Sequence, residues 1–335
     1  MAWPRLGLAV AWGGVVLSLA LAPWIREAPA GWWLAPWAAS VVVLGLPHGA
    51  LDPLVPFRML PAEPRAGRLA AFCGAYLALA GLVVAVWAAA PAAAAVGFVV
   101  LTWAHWGQGD VFALRAYGWD GHLPTRAHLA LAGVVRGALP MAVPLAAQPD
   151  AYADVLASLA GLFAPNAGAE ARAVAVGAAA PVRVALGALL GGYAALGGLA
   201  AWRRRAWRAF ALDAAEVGAL TAFFAWLPPL WSVGVYFCLW HALRHLARLE
   251  PVVAPERPGR LALLAAPATL GALALVAGLG WALVGRPEPP EWLAVYLVGI
   301  AAVTVPHVAV VAWMDVRQRV WRPADDGGGR AYGSR

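Results

Sequence analysis

Apolar runs of about twenty residues recur from one end of this chain to the other. A run of that length is what crosses the roughly 30 Å hydrocarbon core of a bilayer as a helix. A large soluble core buries a few such segments, not ten. The candidate spans lie at roughly 6–24, 32–53, 68–90, 92–115, 127–147, 181–201, 208–227, 230–249, 260–284 and 292–316. Charged residues make up 12% of the 335, about half the share a soluble domain carries, which is too little to solvate a globular surface. The chain therefore reads as all-α: a polytopic transmembrane bundle of about ten helices, with eight as the lower bound. One integral membrane domain covers 1–318, and 319–335, with Asp325, Asp326 and Gly327 to Gly329, reads as a disordered cytoplasmic tail.

A net charge of +7 raises nucleic acid as a partner, and the placement of that charge excludes it. The basic residues are all Arg, and most sit in short tracts between apolar runs. Arg5 precedes the first span; Arg58, Arg65 and Arg68 follow the second; Arg115 and Arg126 follow the fourth. Arg203, Arg204, Arg205 and Arg208 follow the sixth, Arg248, Arg257 and Arg260 the eighth, and Arg317, Arg319 and Arg322 the tenth. The odd connections hold only Arg26, Arg172 among acids, and Arg286. Such alternation follows the positive-inside rule and places both termini in the cytoplasm of a multi-pass cell-membrane protein. The first segment lacks a small-residue cleavage site and reads as a retained helix. The longest connection, 148–180, has room for a short interfacial helix. Cys73 and Cys238 both lie inside apolar runs, so neither a disulfide framework nor a thiolate metal site is indicated.

Seven histidines stand out against this background. His122 and His128 fall in a polar loop and at the start of a span, where a solvated role is expected. The other five, His48, His105, His241, His245 and His307, fall inside spans, where ionisable groups are rare and face the bundle interior. Counted from the cytoplasmic ends of four different spans, all five lie in one layer about 10 Å deep, at ~1.5 Å rise per residue. His241 and His245 share a helix face at i, i+4. With His48 and His105 they make an all-imidazole set suited to Fe, Zn or Cu. Asp52, Asp110 and Asp315 follow three of these histidines, and carboxylates so placed can fix an imidazole tautomer. Asp52, four residues after His48, is the best such candidate, and Arg244 can pair with any of the acids. Trp103, Trp106 and Trp240 flank the histidines and can line a substrate tunnel. The sequences Pro47-His48-Gly49 and Pro306-His307 read as breaks lining a cavity that opens to lipid.

Alternatives of other classes are a proton-coupled transporter with a histidine relay, a haem-binding electron carrier and a membrane desaturase. The transporter lacks a visible inverted repeat. The haem protein needs histidines at opposing depths, and the desaturase needs more His-rich boxes.

Four segments together resemble one family. They are Gly45-Leu46-Pro47-His48-Gly49-Ala50-Leu51-Asp52, His105-Trp106-Gly107-Gln108-Gly109-Asp110, Trp240-His241-Ala242-Leu243-Arg244-His245 and Pro306-His307. In content and order they resemble the Brp/Blh family of integral-membrane β-carotene 15,15′-dioxygenases, from about residue 40 to 315. The resemblance implies a non-haem Fe(II) held by His48, His105, His241 and His245, and His307 matches a further recurrent position of the family; from the residues themselves, Asp52, Asp110, Arg244 and His307 are the expected supporting groups. The resemblance further implies cleavage of β-carotene by O2 to two all-trans-retinal, a product that serves microbial rhodopsins. The neutral ligands avoid placing carboxylates in hydrocarbon, where they are costly.

Overall fold

The computed structural model describes residues 2–41, 45–60, 66–254, 260–285 and 289–323, and no strand occurs among them. Arg65, Arg257, Arg286 and the tail from residue 324 lie outside the described residues.

The chain opens with α1 (Ala2–Ala20) and α2 (Ala22–Glu27). Short pieces follow: α3 (Ala35–Ala39), α4 (Gly45–Gly49) and α5 (Val55–Met59). Then come α6 (Ala66–Ala89), α7 (Pro91–Ala116), α8 (Arg126–Ala147), α9 (Pro149–Gly161), α10 (Pro165–Arg204) and α11 (Trp207–Trp226). Helix α12 (Pro229–Val235) runs through a π-helical segment, Tyr236–Ala242, into α13 (Leu243–Val253). Helices α14 (Leu261–Val284) and α15 (Pro289–Arg317) complete the bundle. Proline at the first helical position, where no intrahelical N–H is lost, starts α7, α9, α10, α12 and α15.

Among the described residues, six helices are long and apolar enough to cross a membrane: α6, α8, α10, α11, α14 and Glu291–Arg317 of α15. The chain is thus a helical membrane bundle; two of the ten expected spans are not continuous, and one connection and one further span differ in character from expectation. The span expected at 32–53 is broken into α3, α4, a 3₁₀ turn at Asp52–Leu54 and their connections. The span at 230–249 is interrupted by the π-helical segment. The connection at 148–180 is mostly helical, occupied by α9 and the first half of α10, a helix of 40 residues. Helix α7 is long enough to span, but its histidine, glutamine and tryptophan residues make it less apolar.

Burial sorts the helices. In α8 and α15, 78% and 72% of the apolar window is buried, against 6% in α6 and 22% in α14. The first two are the centre of the bundle and the last two face lipid. Helices α7 and α8 cross through glycines: a Cβ on Gly107 would strike the Gly133 carbonyl, and one on Gly137 the Trp103 carbonyl. The Gly133-x-x-x-Gly137 spacing gives the backbone approach that small residues allow in membranes. Two arginines expected in basic loops are buried: Arg115 bonds Asp120 and the Arg319 and Val320 carbonyls, and Arg248 bonds Asp315 at 2.6 Å and Gln318.

Candidate metal centre

Five imidazoles from four separate stretches of chain meet in the bundle interior. His48 comes from α4, His105 from α7, His241 from the end of the π-helical segment, His245 from the first turn of α13 and His307 from α15. All are buried. The ring centroids of His48 lie 5.4, 5.5 and 5.1 Å from those of His241, His245 and His307. Those of His105 lie 4.9 Å from both His241 and His307, and His245 is 5.0 Å from His307. The His241 and His245 rings lie 13° from parallel at 6.4 Å, so the two share a helix face despite the π-helical turn before them.

The two ring nitrogens differ in their surroundings. His48 Nδ1 bonds the Gly45 carbonyl, His105 Nδ1 lies 3.4 Å from Gln108 Oε1, and His307 Nδ1 lies 2.8 Å from Asp52 Oδ2. The Nε2 atoms of His105, His241, His245 and His307 are buried and meet no hydrogen-bond partner. Buried polar atoms are normally paired, and four orphaned imidazole nitrogens in one cluster are the donor set of a borderline metal such as Fe, Zn or Cu. The residues therefore fit a bound metal ion.

The expected supporting residues are placed differently. Asp52 serves His307, not His48, because α4 ends at Gly49 and the chain turns before Asp52, which breaks the i, i+4 face. Asp110 does not reach His105, since five residues turn a helix by roughly 500°, away from the starting face. It accepts instead from Trp240 Nε1 and Arg244 Nη1, each at 3.2 Å. Arg244 also bonds Glu216 at 2.6 Å and lies 4.0 Å over the Trp240 ring. Pro306 and His307 sit inside the unbroken helix α15, not in a turn. Asp315 accepts from Gln108 at 2.8 Å and from Trp321 at 2.9 Å, so it steadies the residue beside His105. Of the three tryptophans, Trp106 lines the cavity described below; Trp103 bonds the Val134 carbonyl, and Trp240 packs on Arg244.

His122 departs most from expectation. It is fully buried, with Nε2 2.9 Å from Asp213 Oδ2. Asp213 also pairs with Arg136 at 3.0 Å and accepts from Tyr193, while Arg136 bonds Glu216 and lies 3.5 Å from Asp110. None of Arg136, Asp213, Glu216, Tyr76 and Gln108 stood out in the sequence. Arg136, Asp213 and Glu216 did carry one signal, as charges well inside apolar runs.

A cavity of about 460 Å³ adjoins the histidines. His48, His105, His241 and His307 line it, and the remaining walls are apolar or aromatic apart from Thr102 and Thr304, with no charged side chain. Trp37, Phe237 and Trp106 form one wall of near-parallel rings, 26° and 18° apart, that continues to His241 at 16°. Leu77 of α6 and Leu275 of α14 line the cavity and are also 56% and 45% exposed. The cavity thus reaches the lipid-facing surface at these two helices.

Comparison with known proteins fixes the family. Residues 39–315 match the profile of the family described as Beta-carotene 15,15′-dioxygenase. The chain is 41% identical over 336 aligned positions to the probable β-carotene 15,15′-dioxygenase Blh of Halobacterium salinarum, covering 93% of each chain. It is 31% identical to the probable β-carotene 15,15′-dioxygenase Brp of the same organism, covering 84% of this chain and 83% of that one. An 82-residue stretch, 24% of this chain and 30% of the other, is 38% identical to a β-carotene 15,15′-dioxygenase from an uncultured marine bacterium. No solved structure matches. The chain belongs to the β-carotene 15,15′-dioxygenase family.

Proposed function

We propose that the chain is a non-haem iron(II) dioxygenase that cleaves β-carotene with O2 at its central 15,15′ double bond, giving two molecules of all-trans-retinal. One observation carries this reading: orphaned, buried imidazole nitrogens stand at the wall of an uncharged cavity that reaches the lipid-facing surface. His48, His105, His241 and His245 hold the ion. The chemistry that bound iron(II) supplies is activation of O2 toward a closed-shell alkene. The balance closes without a further reductant: one C=C and one O=O bond are broken and two C=O bonds form.

The protein's own part is binding, orientation and exclusion of water. A carotenoid dissolves in the bilayer, and the exposed edges of Leu77 and Leu275 give it a way in from lipid. Trp37, Phe237 and Trp106 line the cavity beside His241 and supply aromatic contact for the polyene. Apolar walls keep water from reactive oxygen species, and the reaction needs no proton donor, in keeping with a lining free of carboxylates. A single helical domain over 1–318 has both termini and its histidine layer on the cytoplasmic side, which the arginine alternation supports. Retinal released into lipid is available to a partner such as a microbial rhodopsin.

Coexpression in β-carotene-producing cells tests the proposal. Loss of orange colour with formation of retinal is the expected result, and His241→Ala should abolish both. Unchanged carotenoid beside a membrane-inserted, iron-loaded protein would overturn the substrate assignment.

A further inference from the structure

We propose that His307 is a fifth metal-ligating imidazole and that Asp52 is the residue that holds it in place; the inference rests on the metal-binding reading above. His307 is central in the cluster, since its ring lies 4.9 to 5.1 Å from those of His48, His105 and His245. The other approaches of this kind are His48 to His241 and His245, at 5.4 and 5.5 Å, and His105 to His241, at 4.9 Å, so His307 is as much a member of the cluster as the other four. It also lines the cavity.

The hydrogen bonds assign the nitrogens. Asp52 Oδ2 lies 2.8 Å from His307 Nδ1, and a carboxylate only accepts. Nδ1 is therefore the donor in this contact, which leaves Nε2 as the nitrogen able to present a lone pair to a metal. That Nε2 is buried without a partner. In a helix–helix contact role Nε2 would meet a donor, because a buried acceptor left unpaired costs about 1–3 kcal/mol. A carboxylate bound to one nitrogen of an imidazole whose other nitrogen is free is the arrangement that orients metal-bound histidines.

Asp52 is itself held. The Tyr76 hydroxyl lies 3.1 Å from both Asp52 Oδ2 and the Val303 carbonyl, one turn before His307 on α15. The ligand-capable atoms of Asp52, His245 and His307 all lie within 4.8 Å of one another. Asp52 Oδ2 is engaged by His307 Nδ1 and Tyr76, while its Oδ1 is buried without a hydrogen-bond partner, so the test must separate a positioning carboxylate from a ligating one. The positioning role makes a distinct demand: Asn at this position keeps an oxygen that accepts from Nδ1–H and should preserve function, whereas Ala should not.

The test uses the full chain, purified in lipid nanodiscs with the metal removed and then titrated with Fe(II) against a competing chelator. Thermal unfolding of the metal-free forms reports folding separately. Asp52→Ala should weaken iron binding about 10- to 100-fold, the usual effect of losing such a partner, and His307→Ala at least as much. Asp52→Asn should recover most of the affinity. The electron paramagnetic resonance signal of the Fe(II)–nitric oxide adduct should change in His307→Ala and return toward the wild-type form in Asp52→Asn. Wild-type iron affinity and an unchanged signal in a folded His307→Ala protein would overturn the inference. If His307→Ala does not fold, Asp52→Ala decides it, since the imidazole is still present there: unchanged affinity overturns the proposal. Failure of the wild-type chain to take up iron would instead overturn the metal-binding reading.

Discussion

Two of the polar clusters buried in this bundle differ in how their charges are met. In one, Asp110, Asp213 and Glu216 face Arg136 and Arg244, with His122 and Tyr193 completing the shell of Asp213. Each ionic group is within hydrogen-bonding or ion-pair reach of an opposite charge, although Asp110 Oδ2, Arg136 Nε, Arg244 Nε and His122 Nδ1 lack a hydrogen-bond partner, and none of these residues except Asp213 and Tyr193 borders any described cavity. In the other, five imidazole rings crowd together, four Nε2 atoms have no hydrogen-bond partner, and four of the rings open on the main cavity. Both clusters draw on α7 and on the stretch from Trp240 to His245. A compensated cluster is part of the scaffold; an uncompensated one is shaped for something that must arrive.

The comparison predicts opposite responses to truncation. His241→Ala should abolish retinal formation, the largest effect expected, while the metal-free protein melts close to wild type because an unpaired group has been removed. Arg136→Ala should do the reverse in origin. It leaves Asp213 and Glu216 short of a counter-ion at full burial, and breaking such a pair costs about 3–5 kcal/mol. Thermal unfolding in detergent should show this loss directly. Equal destabilisation by the two substitutions would erase the distinction drawn here.

This contrast also marks how far the sequence could be read. The histidine layer was legible because depth along a helix is a linear count, and residues of one type at one depth must face the interior. The His241/His245 pair was legible because i, i+4 fixes a face regardless of tertiary context. Where the count failed, the helix was broken. Asp52 was assigned to His48 by helical periodicity, and the chain turn after Gly49 hands it to His307. His122 lies in a turn, as its sequence suggests, but it is buried instead of solvated, because its partner, Asp213, lies 91 positions away on α11. Continuity of the second and eighth spans was overestimated for the same reason: apolar content shows that a segment lies in lipid or core, not whether its helix is interrupted.

Arg244 lies between the two clusters and should report on both. It bonds Asp110 and Glu216 and covers Trp240, the residue before His241. Arg244→Ala still leaves Arg136 near both carboxylates, so its cost should be smaller than that of Arg136→Ala, about 1.5–3 kcal/mol as for hydrogen bonds to charged groups. Iron affinity should fall as well, as Trp240 loses its cover and His241 its fixed position. Arg244→Lys should recover little, because one ammonium cannot reproduce a planar fork directed at two carboxylates. Wild-type iron affinity in a destabilised Arg244→Ala protein would show that the clusters are independent.

The smallest effect is expected at the edge of the cavity, far from either cluster's charges. Leu77 is half exposed on α6, the least buried of the long helices, and still lines the cavity. Leu77→Trp enlarges a lipid-facing side chain at that edge and touches neither the histidines nor the ion pairs. Stability and iron affinity should therefore match wild type. Entry of a long carotenoid from the bilayer should slow, raising KM severalfold for β-carotene in proteoliposomes with kcat little changed. A shorter apocarotenal passes a narrowed edge more easily and should be affected less. If both substrates show wild-type KM, the route from lipid does not run past Leu77. If kcat falls for both, the cavity edge at α6 is coupled to the histidine cluster after all, and the separation between scaffold and site is less sharp than the two buried clusters suggest.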